Sequence, residues 1–293
     1  MHWNTFTNAP PAYQAVPTQY FLPPKPTVPP RPDEWPIPTL RLRVDDLNHP
    51  GAQLFFQHIN PNEALRKAVM ASFTWLYTLE TVPRNVEVIQ LVLRSMPGVA
   101  HTTGTDIYKE IHFSLDHIVN CSDRAKDEIE GVITHEVVHC FQHNGQGQAP
   151  SGFIEGVAGR SLFLTPGCLH DELDSCTVYL ISFFLDWVRL RAGKAPPHWK
   201  MRPAEKWDAG YDCTAYFLDW LEGKYGFGIV RTLNLTMRDR AYEDYIFKEH
   251  TGKKVGKLWK RYCEHLQGPG DVVGRPEVPG NKPVEEKTEE QHT

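Results

Sequence analysis

The sequence lacks the features that identify several large classes of protein. It contains no apolar run close to the ~20 residues that a membrane-spanning helix requires, and its N-terminus has neither the basic nor the apolar stretch of a secretory signal. Basic residues are not in excess, since 31 Lys and Arg stand against 36 Asp and Glu. Six cysteines in 293 residues are too few for a disulfide-built scaffold. These absences predict a protein with no membrane or nucleic-acid partner, cytoplasmic by default or secreted if its N-terminus is mispredicted.

What is present divides the chain into three unequal parts. Eleven of the 24 prolines precede Thr39, and proline-rich sequence favours extended geometry over ladders or helices. Residues 1–38 are therefore predicted to be a disordered leader. Residues 268–293 are polar, rich in turn-forming residues and acidic, and are predicted to be a disordered tail. The residues between them, 39–267, are predicted to form the folded domain.

Apolar periodicity within this domain predicts strands first and helices later. Alternating or β-branched apolar residues predict three strands, at Leu40–Val44, Val86–Leu93 and Glu110–Leu115. Apolar residues three and four positions apart predict helices over 62–79, 123–143, 213–224, 228–236, 242–250 and 257–266. A sheet-forming first half followed by a helical second half predicts an α+β fold.

The second of these helices contains His135-Glu136-Val137-Val138-His139, the HExxH pattern. Residues four apart lie on one face of a helix, so the two imidazoles can bind one Zn²⁺. Glu136 follows the first histidine directly and is placed to act as general base towards a metal-bound water. The alternative is a buried helix with two hydrogen-bonded histidines, since so short a pattern also occurs by chance.

A catalytic zinc takes three protein ligands and keeps one position open, so a third ligand is needed. His143 would lie about 12 Å from His135 along the helix, which is too far to share an ion. The third histidine of a metzincin would stand at position 145, which is Gly145. Glu155, in the apolar segment GFIEGVA beyond a glycine-rich turn, is therefore the predicted third ligand, in the gluzincin arrangement. The alternative is an exposed glutamate at the start of a helix.

The stretches ITHEVVHCFQHNGQGQAPSGFIEGVA and WDAGYDCTAYFLDWLEGKYG resemble the basic secretory protein family of plants, bacteria and fungi. The resemblance extends over roughly Leu40 to Leu266. It implies a zincin-like fold, with a small twisted N-terminal sheet, an active-site helix and a mainly helical C-terminal part. It also implies hydrolysis of peptide or protein substrates with Zn²⁺. We expect the protein to be a monomer.

The resemblance also implies roles for individual residues. It supports His135 and His139 as zinc ligands, Glu136 as the base and, less directly, Glu155 as the third ligand. In zincins the strand before the active-site helix binds substrate at the edge of the sheet, and the segment EIHFSL would be that strand.

In such an enzyme zinc polarises the scissile carbonyl, while Glu136 takes a proton from the water and passes it to the leaving amine. Tyr211 in the segment GYD is the candidate donor to the oxyanion. The alternative is a core or loop tyrosine, and His198, Arg189 and Arg191 are weaker candidates. The alternative function is a catalytically inactive zincin-like protein that binds peptides or glycans as a defence or interaction protein.

The chain departs from the family pattern directly after Glu155. In the family the segment around this glutamate continues into D-[WY]-V-R-L, whereas here residues 159–185 stand before Asp186. Without them Asp186 would lie four residues after Glu155, where gluzincins have an aspartate that accepts a hydrogen bond from a ligand imidazole. Asp186 is the candidate for that role. We interpret residues 159–185 as a retained intron or gene-model error, with a genuine surface loop as the alternative. Because Gly159 has no carboxylate, we expect weak or no activity from the chain as written.

Overall fold

The computed structural model describes residues 31–149, 183–209 and 211–267. A four-stranded sheet lies in the first half and helices make up the second, which confirms the α+β fold expected from the sequence. No helix within these ranges is long and apolar enough to cross a membrane.

The strands and helices follow the chain in a simple order. The strands are β1 (Thr39–Val44), β2 (Val88–Arg94), β3 (Ala100–Gly104) and β4 (Tyr108–Ser114). Before the helix that carries the HExxH pattern lie α1 (Pro50–His58), α2 (Pro61–Leu76) and α3 (Leu115–Asn120). From that helix onwards lie α4 (Ala125–His139), α5 (Phe183–Arg191), α6 (Tyr211–Tyr225), α7 (Ile229–Thr236), α8 (Tyr245–Thr251) and α9 (Val255–Gln267).

The strands are ordered β1-β2-β4-β3 across the sheet. β1, β2 and β4 are parallel, and β3 runs antiparallel to β4. A parallel pair needs a crossover connection, and α1 and α2 provide it between β1 and β2. Ile89, Leu91 and Leu93 of β2 are completely buried and belong to the hydrophobic core. The sheet therefore forms one wall of the core, which the helices complete.

The expectation that EIHFSL forms the edge of the sheet is wrong. This segment belongs to β4, which pairs with β2 on one side and with β3 on the other. The edge strands are β1 and β3. The sequence of β3, Ala-His-Thr-Thr-Gly, has no apolar alternation, so the periodicity analysis missed it. The antiparallel strand β3 is thus the one that lies next to α4 at this edge, where Thr102 contacts Glu136.

Helix α4 is shorter than the predicted helix over 123–143 and runs through the interior of the domain. It packs against α2, α5 and α1. Its buried residues lie on all sides of the helix and include Ile129, Ile133 and Val137, which are completely inaccessible. Packing on several faces fixes the rotation of the helix about its axis, and hence the direction in which His135 and His139 project.

Candidate metal centre

The HExxH residues converge at the C-terminal end of α4. One donor atom each of His135, Glu136 and His139 lies within 4.8 Å of the others. The two imidazole rings have centroids 5.3 Å apart and meet edge to face at 78°. Glu136 is buried, and both histidines are partly accessible. Two imidazoles at this separation can bind one metal ion, and the Glu136 carboxylate lies beside them.

Asp186 of α5 lies against the first of these histidines. Its Oδ1 atom is 3.0 Å from His135 Nδ1, and the residue is only 2% exposed. When Nδ1 donates its proton to this carboxylate, the Nε2 atom carries the lone pair that a metal would use. The expectation that the chain as written lacks this carboxylate, because Gly159 stands in its place, is therefore wrong. Asp186 reaches His135 from a separate helix, although residues 159–185 precede it.

A close contact between α5 and α4 brings Asp186 to this position. The buried Arg189 guanidinium donates from Nε to the Lys194 carbonyl (2.9 Å) and from Nη2 to Glu128 Oε2 (3.3 Å). It lies directly on Gly131, where an added Cβ would be 2.6 Å from Nη2 and 2.7 Å from Nε. The absence of a side chain at Gly131 therefore leaves room for the Arg189 guanidinium against α4, one turn before His135.

His139 also has a partner at its Nδ1 atom. The side-chain amide of Gln142 lies 3.2 Å from this nitrogen, and the other amide atom, Oε1, is buried without a hydrogen-bond partner. Rotation of the amide by 180° would place Oε1 on His139 Nδ1 as an acceptor. In that orientation Nδ1 keeps the proton and Nε2 is left to a metal, as for His135.

Glu136 is held by the edge strand. Thr102 Oγ1 lies 2.8 Å from Glu136 Oε2 and 3.0 Å from the Glu136 carbonyl oxygen. Glu136 is only 4% exposed, and a buried carboxylate needs hydrogen-bond donors to offset its lost hydration. The threonine hydroxyl supplies one such donor, from the strand that borders the site.

The two histidines have opposite protonation tendencies. Burial alone would lower the pKa of His135, but the hydrogen bond and negative charge of Asp186, with the charge of Glu136, raise this pKa above its ordinary value. Burial, together with the positive charges of His135 and Lys109, holds the pKa of His139 well below its ordinary value. A metal that binds one ring nitrogen of each histidine therefore displaces a proton chiefly from His135.

The two other positions considered for a third ligand, 143 and 145, do not belong to the group formed by His135, Glu136 and His139. Because α4 ends at His139, His143 lies beyond the helix. There its backbone N–H donates to Asn234 Oδ1 (3.1 Å) and its ring packs edge-on against Tyr77. Gly145 has a left-handed φ of 57°, and an added Cβ would be 2.7 Å from Tyr242 Cβ. No side chain fits at position 145, which agrees with the exclusion of a metzincin arrangement.

The structure describes only some of the remaining predicted site residues. Glu155 and the segment 159–182 lie outside the described residues, so the third ligand stays a prediction. Tyr211 is the first residue of α6, and its side chain also lies outside the described part of the chain. Among the weaker candidates, Arg191 pairs with Asp219 at 2.9 Å. Arg189 has the contacts given above, and His198 is exposed.

Sequence reasoning missed Thr102 and Gln142, the partners of Glu136 and His139. Gln142 stands three residues after His139, and this spacing could have indicated it. Thr102 lies 34 residues before Glu136, and no local spacing connects them. The two adjacent threonines of β3, before the glycine that ends the strand, are the one signal of an extended segment there.

The sequence also matches a known protein family. A family model described as BSP, peptidase of plants and bacteria, matches residues 37–160 and 164–262. The break between the matched segments falls inside residues 159–185. No curated protein and no solved structure matches the chain.

Proposed function

Because the chain belongs to the basic secretory protein family, the peptidases of plants and bacteria, we propose that it is a zinc-dependent peptidase. Its substrates are peptides or proteins, as the family implies. The observation that carries the zinc dependence is the convergence of His135, Glu136 and His139 within 4.8 Å, with Asp186 bonded to His135.

The donor set fits zinc better than a hard cation. Neutral imidazole nitrogens are preferred zinc ligands, whereas magnesium and calcium prefer sets of oxygen ligands. His135 and His139 would hold the ion through Nε2, with Glu155 as the proposed third ligand. When bound, zinc would polarise the scissile carbonyl and lower the pKa of a water molecule.

Residues of the chain itself have the other roles in the proposed reaction. The Glu136 carboxylate accepts the proton of the attacking water and delivers it to the leaving amine. Asp186 fixes the tautomer and orientation of His135, and Gln142 does the same for His139. Tyr211 stays the proposed donor to the developing oxyanion.

We also propose a zincin-like arrangement in which the substrate adds to the sheet at β3. This strand is antiparallel to β4, lies at the edge of the sheet and contacts α4 at Glu136. A peptide that pairs with β3 would pass directly along the HExxH residues.

Metal analysis and chelation of the full-length chain test this proposal. We expect about one zinc per chain, loss of peptidase activity on chelation and its return when zinc is added. His139→Asn should lose the zinc, whereas the control His143→Asn should keep it. Peptide hydrolysis that survives complete removal of the metal would contradict the proposal.

The same experiment separates the alternative function. A catalytically inactive zincin-like protein that binds peptides or glycans would show no turnover of any peptide substrate, even with zinc bound. Binding of such a ligand without hydrolysis by the zinc-loaded wild-type chain would favour that function.

A further inference from the structure

The backbone hydrogen bonds between β3 and β4 determine which way Thr102 faces in its edge strand. The Thr105 N–H donates to the Tyr108 carbonyl (2.8 Å), and the Ser114 N–H donates to the Val99 carbonyl (2.9 Å). Hydrogen-bonded and non-hydrogen-bonded pairs alternate in an antiparallel ladder. The odd-numbered residues of β3 therefore turn their backbone groups towards β4. Thr102 turns its N–H and C=O to the opposite side, which is the edge of the sheet.

The side chain of the same residue points to the helix side of the sheet. Its hydroxyl lies 2.8 Å from Glu136 Oε2 and 3.0 Å from the carbonyl oxygen of Glu136. A glutamate side chain has three rotatable bonds, so a fixed donor at one carboxylate oxygen removes much of its freedom. Threonine is itself stiff at χ1 because it is β-branched, which makes it an effective fixed donor.

We infer that Thr102 is a positioning residue that couples the substrate to the base: its backbone pairs with the peptide substrate while its hydroxyl orients the Glu136 carboxylate. This inference rests on the proposed peptidase function. It predicts that the register of the substrate on β3 and the direction of Glu136 are set by one residue. A merely structural role, in which the hydroxyl only fastens β3 to α4, predicts instead that a change at Thr102 affects folding or zinc binding.

Two substitutions at position 102 separate these roles. Thr102→Val removes the hydroxyl but keeps the shape, the β-branching and the backbone N–H and C=O. Thr102→Ser keeps the hydroxyl and removes only a methyl group. Thr103→Val is the matched control, because Thr103 lies next in the strand and its side chain points to the opposite face of the sheet.

The measurements are zinc content, melting temperature, kcat and KM of the full-length zinc-loaded chain with a peptide substrate. We expect Thr102→Val to lower kcat about 10- to 100-fold, with zinc content and KM nearly unchanged. Thr102→Ser and Thr103→Val should stay close to wild type. Unchanged kcat in Thr102→Val, or equal losses in the serine and valine variants, would overturn the inference.

A Glu136→Gln variant, measured in the same assay, distinguishes failure of this inference from failure of the proposed function. If Glu136→Gln loses turnover and Thr102→Val does not, the coupling role is overturned and the peptidase proposal stands. If Glu136→Gln keeps turnover, both are overturned. Should Thr102→Val melt early, Thr102→Ala serves as a second variant without the hydroxyl. Loss of zinc or of folding in both variants would assign Thr102 a structural role and overturn the inference.

Discussion

Asp186 Oδ1 lies 3.0 Å from His135 Nδ1, although 51 residues separate the two in the chain. The contact depends on the docking of α5 against α4 and not on their distance along the sequence. The 27 residues from 159 to 185 therefore do not remove the carboxylate from the metal centre. That these residues come from a retained intron stays a prediction, and sequencing of the transcript tests it.

Asp186→Asn should weaken zinc binding. The amide cannot supply the negative charge that holds a proton on His135 Nδ1, so the imidazole becomes a poorer ligand. We expect zinc affinity to fall about 10- to 100-fold, measured by competition with a chelator of known affinity. Asp219→Asn is the control, because Asp219 pairs with Arg191 away from the metal centre and its loss should leave zinc affinity unchanged.

Gly131→Ala should disturb the docking of α5. The new Cβ would lie 2.6 to 2.9 Å from the guanidinium atoms of Arg189, which is buried and already bonded to Glu128 and Lys194. We expect a loss of about 1–3 kcal/mol in the free energy of unfolding, measured in denaturant, together with weaker zinc binding because Asp186 moves.

The control for this change is Gly256→Ala in α9, where nothing lies within 4 Å of the added Cβ. Alanine should raise the free energy of unfolding there by about 0.5–1 kcal/mol, because it is the better helix former. If Gly131→Ala proved as harmless as Gly256→Ala, the close packing of Arg189 would not be needed to position α5.

His117, whose Nε2 atom lies 3.5 Å from Glu128 Oε1, should make the stability of the fold depend on pH. The neighbouring Cys121 and the Glu128 carboxylate raise the pKa of His117 to about 9. A raised pKa in the folded state stabilises the fold below the unfolded value of about 6.5, and this contribution is lost as pH rises through 9. We expect the free energy of unfolding to fall by about 1–2 kcal/mol across that range. In His117→Asn this fall should be smaller, and an identical fall in both proteins would show that other groups cause it.

The parts of this site that the sequence predicted are those set by local geometry. His135, Glu136 and His139 share one helical turn, so their convergence follows from helix periodicity alone. Asp186 was identified only through its spacing in the family pattern, and that spacing gave the wrong expectation once residues 159–185 intervened. The contact is tertiary and comes with the packing of α5 on α4, where Arg189 lies against Gly131. Thr102 was missed for the same reason, because strand pairing and helix packing bring it to Glu136 from a segment without apolar alternation.

Turnover by Glu136→Gln, compared with wild type in the full-length chain, tests the central claim most directly. The substitution removes the proton-accepting carboxylate but keeps a side chain of similar size, and it leaves both histidines in place. We predict about one zinc per chain in both proteins, hydrolysis of a casein-type substrate by the wild type, and a loss of at least about 100-fold in the variant. Equal turnover by the two zinc-loaded proteins, or no zinc bound to the wild type, would contradict the account.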